Sequence, residues 1–265
     1  MKICCDLFSS TLKFQLLTKS LFRDFKNNYC SDEIINTESK YFKKNKKKFQ
    51  IYWGNRLTVR KANELPNLKW IHYAGTGMSV DLLRYAKIKK IKVTNTKRIF
   101  DNAVASTVLA FIFMLGRGIH HSIYLKNKKK LNRKFYNNID QNLQNIFFQN
   151  ILLVGYSNIA KKIAKVCLSL DMNILAIKSK IPINKSKIKF FTLKQLKNVV
   201  KKADYIINLL PYTKSTKNIF NREVFDQMKK NTIFINVGRG DTVNEKDLIN
   251  AIQKKKNTCC WIRRN

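Results

Sequence analysis

Apolar runs of strand length alternate with helical segments along most of this chain, the pattern of a doubly wound α/β protein with parallel sheets. The alternation restarts at Asn150, after a long apolar stretch and a lysine-rich one, and so divides the chain in two. The most informative stretch is Asn231 to Asp241, a buried strand running into a turn that holds Arg239 between Gly238 and Gly240. The glycines let the backbone turn sharply and approach a ligand. In open α/β sheets, ligands sit where such strands end.

Composition supports a folded protein. At 265 residues, 45% of them hydrophobic, the chain is long enough for one large domain or two ordinary ones with real cores. Its formal charge of +37 comes from 53 lysines and arginines against 16 acidic residues. A nucleic acid or an anionic membrane would suit that charge. The basic residues are spread from end to end, however, with lysine far outnumbering arginine and Asn and Ile abundant. That distribution fits the codon bias of an AT-rich genome better than a dedicated polyanion site, so no specific nucleic-acid partner is expected. Six cysteines fall at Cys4-Cys5, Cys30, Cys167 and Cys259-Cys260 without metal-type spacing, and read as reduced thiols of a cytoplasmic protein. Asp6, Ser9 and Ser10 interrupt the first apolar patch before a signal-peptide core can form. No run reaches the roughly 18 apolar residues of a membrane helix.

The elements follow in order. Residues 1 to 50 carry no clear pattern, and the lysine-rich run Phe42 to Phe49 reads as a solvated loop or helix face. A strand from Phe49 to Trp53, a helix over Arg56 to Glu64 and a strand ending at Tyr73 give a βαβ rhythm. Ala74 to Gly77 is a glycine-hinged turn, Ser79 to Ala86 a helix and Ile91 to Val93 a short strand. The apolar run Val104 to Leu115 is too long for one strand and suits a buried helix linking two halves. After the polar stretch Lys126 to Gln149, five strands are expected, at Asn150 to Gly155, Met172 to Ile177, Ile188 to Phe191, Asp204 to Leu209 and Thr232 to Asn236. Helices at Asn158 to Leu170, Leu193 to Lys201, Glu223 to Met228 and Glu245 to Lys254 complete the alternation.

Ile151 to Val154 runs into Gly155-Tyr-Ser-Asn-Ile-Ala160, which matches G-x-G-x-x-G/A with Ser157 in place of the second glycine. Gly155 permits the tight turn, and Ala160 the close packing of helix on strand. Ser157 either crowds a pyrophosphate or offers it a hydroxyl donor. The helix start at Asn158 presents free N–H groups and a positive dipole end to phosphate. The turn therefore reads as a dinucleotide site. Where NAD-binding chains place an acid for the ribose 2′-hydroxyl, this one has Ile177-Lys178-Ser179-Lys180. A cation at Lys178 suits the 2′-phosphate of NADP, so the cofactor reads as NAD or NADP with a lean to NADP.

Six segments carry a resemblance. They are Leu65-Pro-Asn-Leu-Lys-Trp-Ile71, Gly75-Thr-Gly77, Val93-Thr-Asn-Thr96, Gly155 to Ala160, Ala203-Asp204 with Leu210-Pro211, and Ile235-Asn-Val-Gly-Arg-Gly240 running into Val243-Asn-Glu-Lys-Asp-Leu248. Over about residues 50 to 256 the chain resembles the D-isomer-specific 2-hydroxyacid dehydrogenases. Within them it is nearer the glyoxylate/hydroxypyruvate reductases and phosphoglycerate dehydrogenases than the formate dehydrogenases. The resemblance implies a smaller flavodoxin-like substrate domain over 1–97, a linking helix over 98–125 and a Rossmann domain over 126–265, incomplete at its C-terminal end. It implies an oxidoreductase that moves a hydride between a nicotinamide cofactor and a small 2-keto or D-2-hydroxy acid, with no metal. Backbone N–H groups around Thr76 and Gly77 would hold the substrate carboxylate. Arg239 would bind that carboxylate and polarise the carbonyl, its planar fork pairing with two oxygens at once. Gly155 and Ser157 would form the phosphate turn, with Asn158 and Ile159 over the pyrophosphate. Lys178 would lie beside the adenosine ribose, and Leu210, Pro211 and Val237 along the cofactor edge. The family also suggests a homodimer through the cofactor domain, with the Val104 to Leu115 helix taking part.

The family delivers a proton from a histidine kept at a useful pKa by a glutamate, beyond a strand that reads like A-L-D-V-F. Here Lys254 to Asn265 follows instead, and His72, His120 and His121 lie upstream of the Rossmann unit. The expectation is a five-stranded cofactor sheet without its last strand and docking helix, ended by a frame slip in the codons of Lys254 to Lys256 or by gene decay. Activity would then be impaired, with a noncatalytic nucleotide-binding or regulatory role as the alternative.

Overall fold

The computed structural model describes residues 2–6, 34–75, 77–128, 143–183 and 186–254, together with the backbone of the strand Cys259–Ile262. Two compact units divide the chain, Met1–Ile99 and Phe100–Asn265, and each contains a parallel sheet. Among the described residues no single helix is long and apolar enough to cross a membrane.

In the first unit the strands are β1 (Lys2–Cys5), β2 (Ile34–Asn36), β3 (Phe49–Gly54), β4 (Trp70–Tyr73) and β5 (Lys92–Asn95). They lie in the order β2-β1-β3-β4-β5, all parallel, which is the flavodoxin-like arrangement. β1 and β2 fall in the segment whose sequence shows no pattern. β1 is nevertheless an inner strand, with Cys4 and Cys5 both fully buried. Thr58 and Ser79 cap the helices Val59–Asn63 and Val80–Ile88, each hydroxyl accepting from the backbone N–H three residues on. The cap at Thr58 is why the helix expected from Arg56 starts three residues later. Asp6, at the carboxyl end of β1, is 7% exposed and accepts from the Asn55 and Arg56 N–H groups at 3.0 Å each and from the Tyr52 hydroxyl. Burial raises the Asp6 pKa against the pull of those two backbone donors.

In the second unit the strands are β6 (Asn150–Val154), β7 (Asn173–Ile177), β8 (Lys189–Phe191), β9 (Tyr205–Asn208), β10 (Ile233–Asn236) and β11 (Cys259–Ile262). All are parallel, in the order β8-β7-β6-β9-β10-β11. Counted within the unit this is 3-2-1-4-5-6, the Rossmann order. β11 corrects the expectation of five strands, since Cys259–Ile262 pairs along the whole of β10, from Ile233 to Asn236. Four residues between a lysine run and two arginines carry too little periodicity to be read as a strand alone.

Both faces of this sheet are covered, which is why its strands read as unbroken apolar runs. Successive residues of β6 alternate between two cores: Leu152 and Val154 face one, Ile151 and Leu153 the other. The helix Asp101–Gly116 lies within the second unit and contributes Ala105, Val108 and Ile112 to one core. There it joins Ala160, Ile163, Ala164 and Cys167 of the helix Asn158–Leu168. The opposite core centres on Phe234 of β10, whose ring centroid is 4.9 Å from that of Phe220 and 5.6 Å from that of Phe225. Phe234→Ala should destabilise the second unit by about 3–5 kcal/mol, because the two fully buried rings of Phe220 and Phe225 cannot close over the space left. Urea unfolding followed by far-ultraviolet circular dichroism measures this. A loss below about 1 kcal/mol would mean that this cluster does not hold the sheet.

Candidate active site

Three turns meet at the carboxyl edge of the second sheet. β6 and β9 are neighbours there, but the chain leaves β6 toward β7 on one side and β9 toward β10 on the other. Such a reversal opens a crevice for a ligand.

Gly155 closes β6. Its N–H and that of Tyr156 both donate to the Ile177 carbonyl, at 3.1 and 3.0 Å, and its φ is +100°. A Cβ at this position would also stand 3.2 Å from the Leu209 carbonyl carbon. Glycine alone satisfies both conditions. Ser157 is different, since its φ of −100° and ψ of −171° are extended backbone open to any residue. It stands at the N-cap of the helix Asn158–Leu168 but makes no side-chain capping bond, so its exposed hydroxyl is free to donate to a ligand. The first helical hydrogen bond runs from the Lys161 N–H to the Ser157 carbonyl, at 3.0 Å. The N–H groups of Asn158, Ile159 and Ala160 therefore have no partner within the helix. Asn158 is exposed, Ile159 half-buried and Ala160 fully buried against the sheet. Lys178 follows β7, half-buried, its N–H donating to the Phe191 carbonyl at 3.0 Å. Among the described residues its ammonium has no carboxylate partner.

The turns after β9 and β10 are joined by buried amides. Asn208, fully buried at the end of β9, donates from Nδ2 to Asn236 Oδ1 at 3.0 Å and to Thr242 Oγ1 at 2.7 Å. Its Oδ1 accepts from the Leu210 N–H at 3.1 Å. Asn236 Oδ1 also accepts from the Gly238 N–H at 3.0 Å, and the Thr242 hydroxyl donates to the Arg239 carbonyl at 2.6 Å. The Asn236 Nδ2 is buried without a hydrogen-bond partner among the described residues, a cost of about 1–3 kcal/mol placed beside the Arg239 turn. Gly238 is required for clearance and not for its dihedral angles: a Cβ there would lie 2.7 Å from the Leu210 carbonyl oxygen. At Gly240 a Cβ would meet nothing within 4 Å, so the sharp turn expected of that glycine needs no glycine.

Arg239 is half-buried, and its guanidinium Nη1 donates to the Gly238 carbonyl at 3.3 Å. Among the described residues it joins no ion pair. It thus stands at the same sheet edge as Gly155, Ser157, Asn158, Ile159, Lys178, Leu210, Pro211 and Val237. Leu210 and Val237 are largely buried in the two cores, whereas Pro211 is exposed at the edge. Thr76 lies outside the described residues. Gly77, exposed, follows β4 in the first unit. No histidine lies on the turns that form this edge: His72 is on β4 of the first unit, its Nδ1 2.8 Å from Thr94 Oγ1, and His120 and His121 are on the helix Ile119–Asn127.

Residues 109–261 match the family model described as the NAD binding domain of D-isomer specific 2-hydroxyacid dehydrogenases. The chain belongs to that family. The matched span extends into β11, to Trp261. One relative is the hydroxypyruvate reductase of Thermotoga maritima, 29% identical over 190 residues, which are 72% of this chain and 60% of that protein. The chain thus spans less than two thirds of that relative. Among solved structures, an NAD-dependent formate dehydrogenase from Staphylococcus aureus in complex with NAD aligns with a TM-score of 0.82 at 19% identity, over 98% of this chain and 80% of the other. An NADPH-dependent glyoxylate/hydroxypyruvate reductase from Sinorhizobium meliloti in complex with citrate aligns at 0.76 and 17% identity, over 99% and 79%. At these identities the likeness is one of fold.

Asn208, Asn236 and Thr242 are the site residues that sequence reasoning misses. Their signal is faint, a polar residue closing each of two apolar strands. Gly238→Ala should cost about 1–3 kcal/mol, since the added methyl meets backbone that cannot rotate away. Gly240→Ala, with open space, should stay within about 0.5 kcal/mol. Thermal unfolding of the two variants side by side checks this, and equal losses would show that clearance at Gly238 is not the constraint.

Proposed function

We propose that this chain is an NAD(P)-dependent oxidoreductase interconverting small 2-keto acids and D-2-hydroxy acids. One observation carries the reading: a phosphate turn, a lysine without a carboxylate partner among the described residues and a half-buried arginine share one sheet edge, where two strands of reversed connection meet. Residues 126–265 hold the cofactor, 98–125 form the link and 1–97 hold the substrate. The residues suit a dinucleotide, because Gly155 lets the turn close on Leu209 while the helix start offers unused N–H groups to a pyrophosphate. When bound, the nicotinamide exchanges the hydride with the substrate carbon.

The remaining roles fall to the chain itself. The Gly155 turn, the Ser157 hydroxyl and the Asn158 and Ile159 N–H groups bind the phosphates. Lys178 accepts a 2′-phosphate, which favours NADP over NAD. Leu210, Pro211 and Val237 shape the cofactor edge. Arg239 grips the substrate carboxylate with two donors and polarises the carbonyl, and backbone N–H groups around Thr76 and Gly77 complete the carboxylate site. Proton delivery is assigned to no residue of this chain. The absence of a histidine from the turns after β6, β7, β9 and β10 favours a second reading, nucleotide binding without turnover. Cytoplasmic location and a homodimer belong to the proposal. Exposed Ile119, Ile123 and Tyr124 on one helix support self-association, while the inner face of the helix Asp101–Gly116 is already buried within its own unit.

Titration with NADPH and NADH, followed by turnover of glyoxylate and hydroxypyruvate, tests both readings: binding without turnover selects the second, and no binding removes both. If turnover is measured, Arg239→Ala should abolish it while changing cofactor Kd by less than about twofold, and unimpaired turnover would remove the arginine from the mechanism. Lys178→Asp should weaken NADPH by at least about tenfold and NADH far less. An unchanged NADPH-to-NADH ratio would show that Lys178 does not set the preference.

A further inference from the structure

The opposite edge of the second sheet carries a feature that cofactor binding does not use. Asn150, Asn173 and Lys189 are the first residues of β6, β7 and β8, while Lys202 and Lys229 precede β9 and β10. With Lys187 these residues line a cavity of about 450 Å3 that starts at the amino ends of β6 and β7 and runs along the edge strand β8, where Lys189 is in register with Leu175. Ile174, Leu175 and Phe191 supply its apolar part. Lysines that are scattered in sequence are gathered here by the topology.

The carboxylate beside them is already committed. Asp204 Oδ1 accepts from Lys229 Nζ at 2.7 Å, and its Oδ2 accepts from the Asn150 N–H at 2.9 Å. Among the described residues Lys187, Lys189 and Lys202 have no carboxylate partner. Lys202 and Lys229 follow the helices Leu196–Val200 and Arg222–Asp226, where a cation complements the carbonyl ends. Lys187 and Lys189 follow no helix. They lie before and on β8, the edge strand, and have no such local explanation.

We propose that this cavity binds a small anion bearing several phosphates, held by Lys187, Lys189 and Lys202, with Lys229 at its rim paired to Asp204. Lysine meets phosphate as a point charge on a flexible stem, so three of them accommodate a chain of phosphates without a rigid cradle. Free inorganic polyphosphate and the tail of a nucleotide share this chemistry. Along β6, five residues at about 3.3 Å each set the two edges roughly 15 Å apart, while along the three-residue β8 the cavity reaches Phe191, whose carbonyl accepts from the Lys178 N–H.

Calorimetric titration of the full chain with tripolyphosphate, at about 150 mM salt to suppress diffuse attraction, tests the proposal. One site per chain is expected, weakened at least about tenfold in Lys187→Gln/Lys189→Gln. Lys43→Gln/Lys87→Gln, which removes equal charge from exposed positions of the first unit, should bind as the parent does. Saturating NADPH should leave the affinity unchanged. ATP in place of tripolyphosphate separates the sources: tighter binding identifies a nucleotide, equal binding the phosphate chain alone. Equal weakening in both double variants, failure to saturate at one site, or displacement by NADPH would each overturn the proposal. So would a Lys187→Gln/Lys189→Gln variant that binds normally but self-associates, which would assign these lysines to guarding the edge strand.

Discussion

The carboxamide of Asn208 is the constraint on which the candidate site depends. An amide wholly removed from water must have its donors and acceptor occupied, and here the partners come from three places: the Leu210 N–H, the Asn236 carboxamide and the Thr242 hydroxyl. The loop after β9 is thereby tied to the loop after β10. The Leu209 N–H, bonded to the Val154 carbonyl at 2.8 Å, ties the same loop to β6. Thr242 in turn holds the Arg239 carbonyl. The backbone beneath the arginine is consequently set by buried polar geometry, while its side chain keeps most of its donors for a ligand.

Much of the architecture was legible because burial on both faces leaves a strong mark on a strand. Ile151 to Val154 is apolar at every position, since alternate residues serve two different cores. β1, β2 and β11 left no such mark. Lys2–Cys5 is short and opens on a lysine, Ile34–Asn36 has three residues, and Cys259–Ile262 sits between basic runs. Each is placed by pairing with a neighbour far away in the chain, which local pattern does not contain. The candidate site divides the same way. Gly155 and Arg239 stand in motifs that can be read along the chain. Asn208, Asn236 and Thr242 act through partners 28 and 34 residues apart, and a polar residue at a strand end reads as the start of a loop until the strands are set side by side.

Charge follows a similar logic. Exposed pairs such as Lys197 with Glu223 contribute little to stability, so the two cores of the second unit, not ion pairing, hold it against its own positive surplus. In sequence that surplus looks uniform. In space the parallel topology collects strand starts along one edge, and four lysines from three separate places in the chain become neighbours through no local pattern of their own.

Ser157 bears on how a glycine fingerprint erodes. Gly155 answers to two demands at once, a left-handed dihedral angle and the closeness of Leu209, so replacing it requires two compensations together. Position 157 answers to neither, because its backbone is extended; only room in front of a ligand restrains it. A residue other than glycine at position 157 therefore leaves the turn at Gly155 intact.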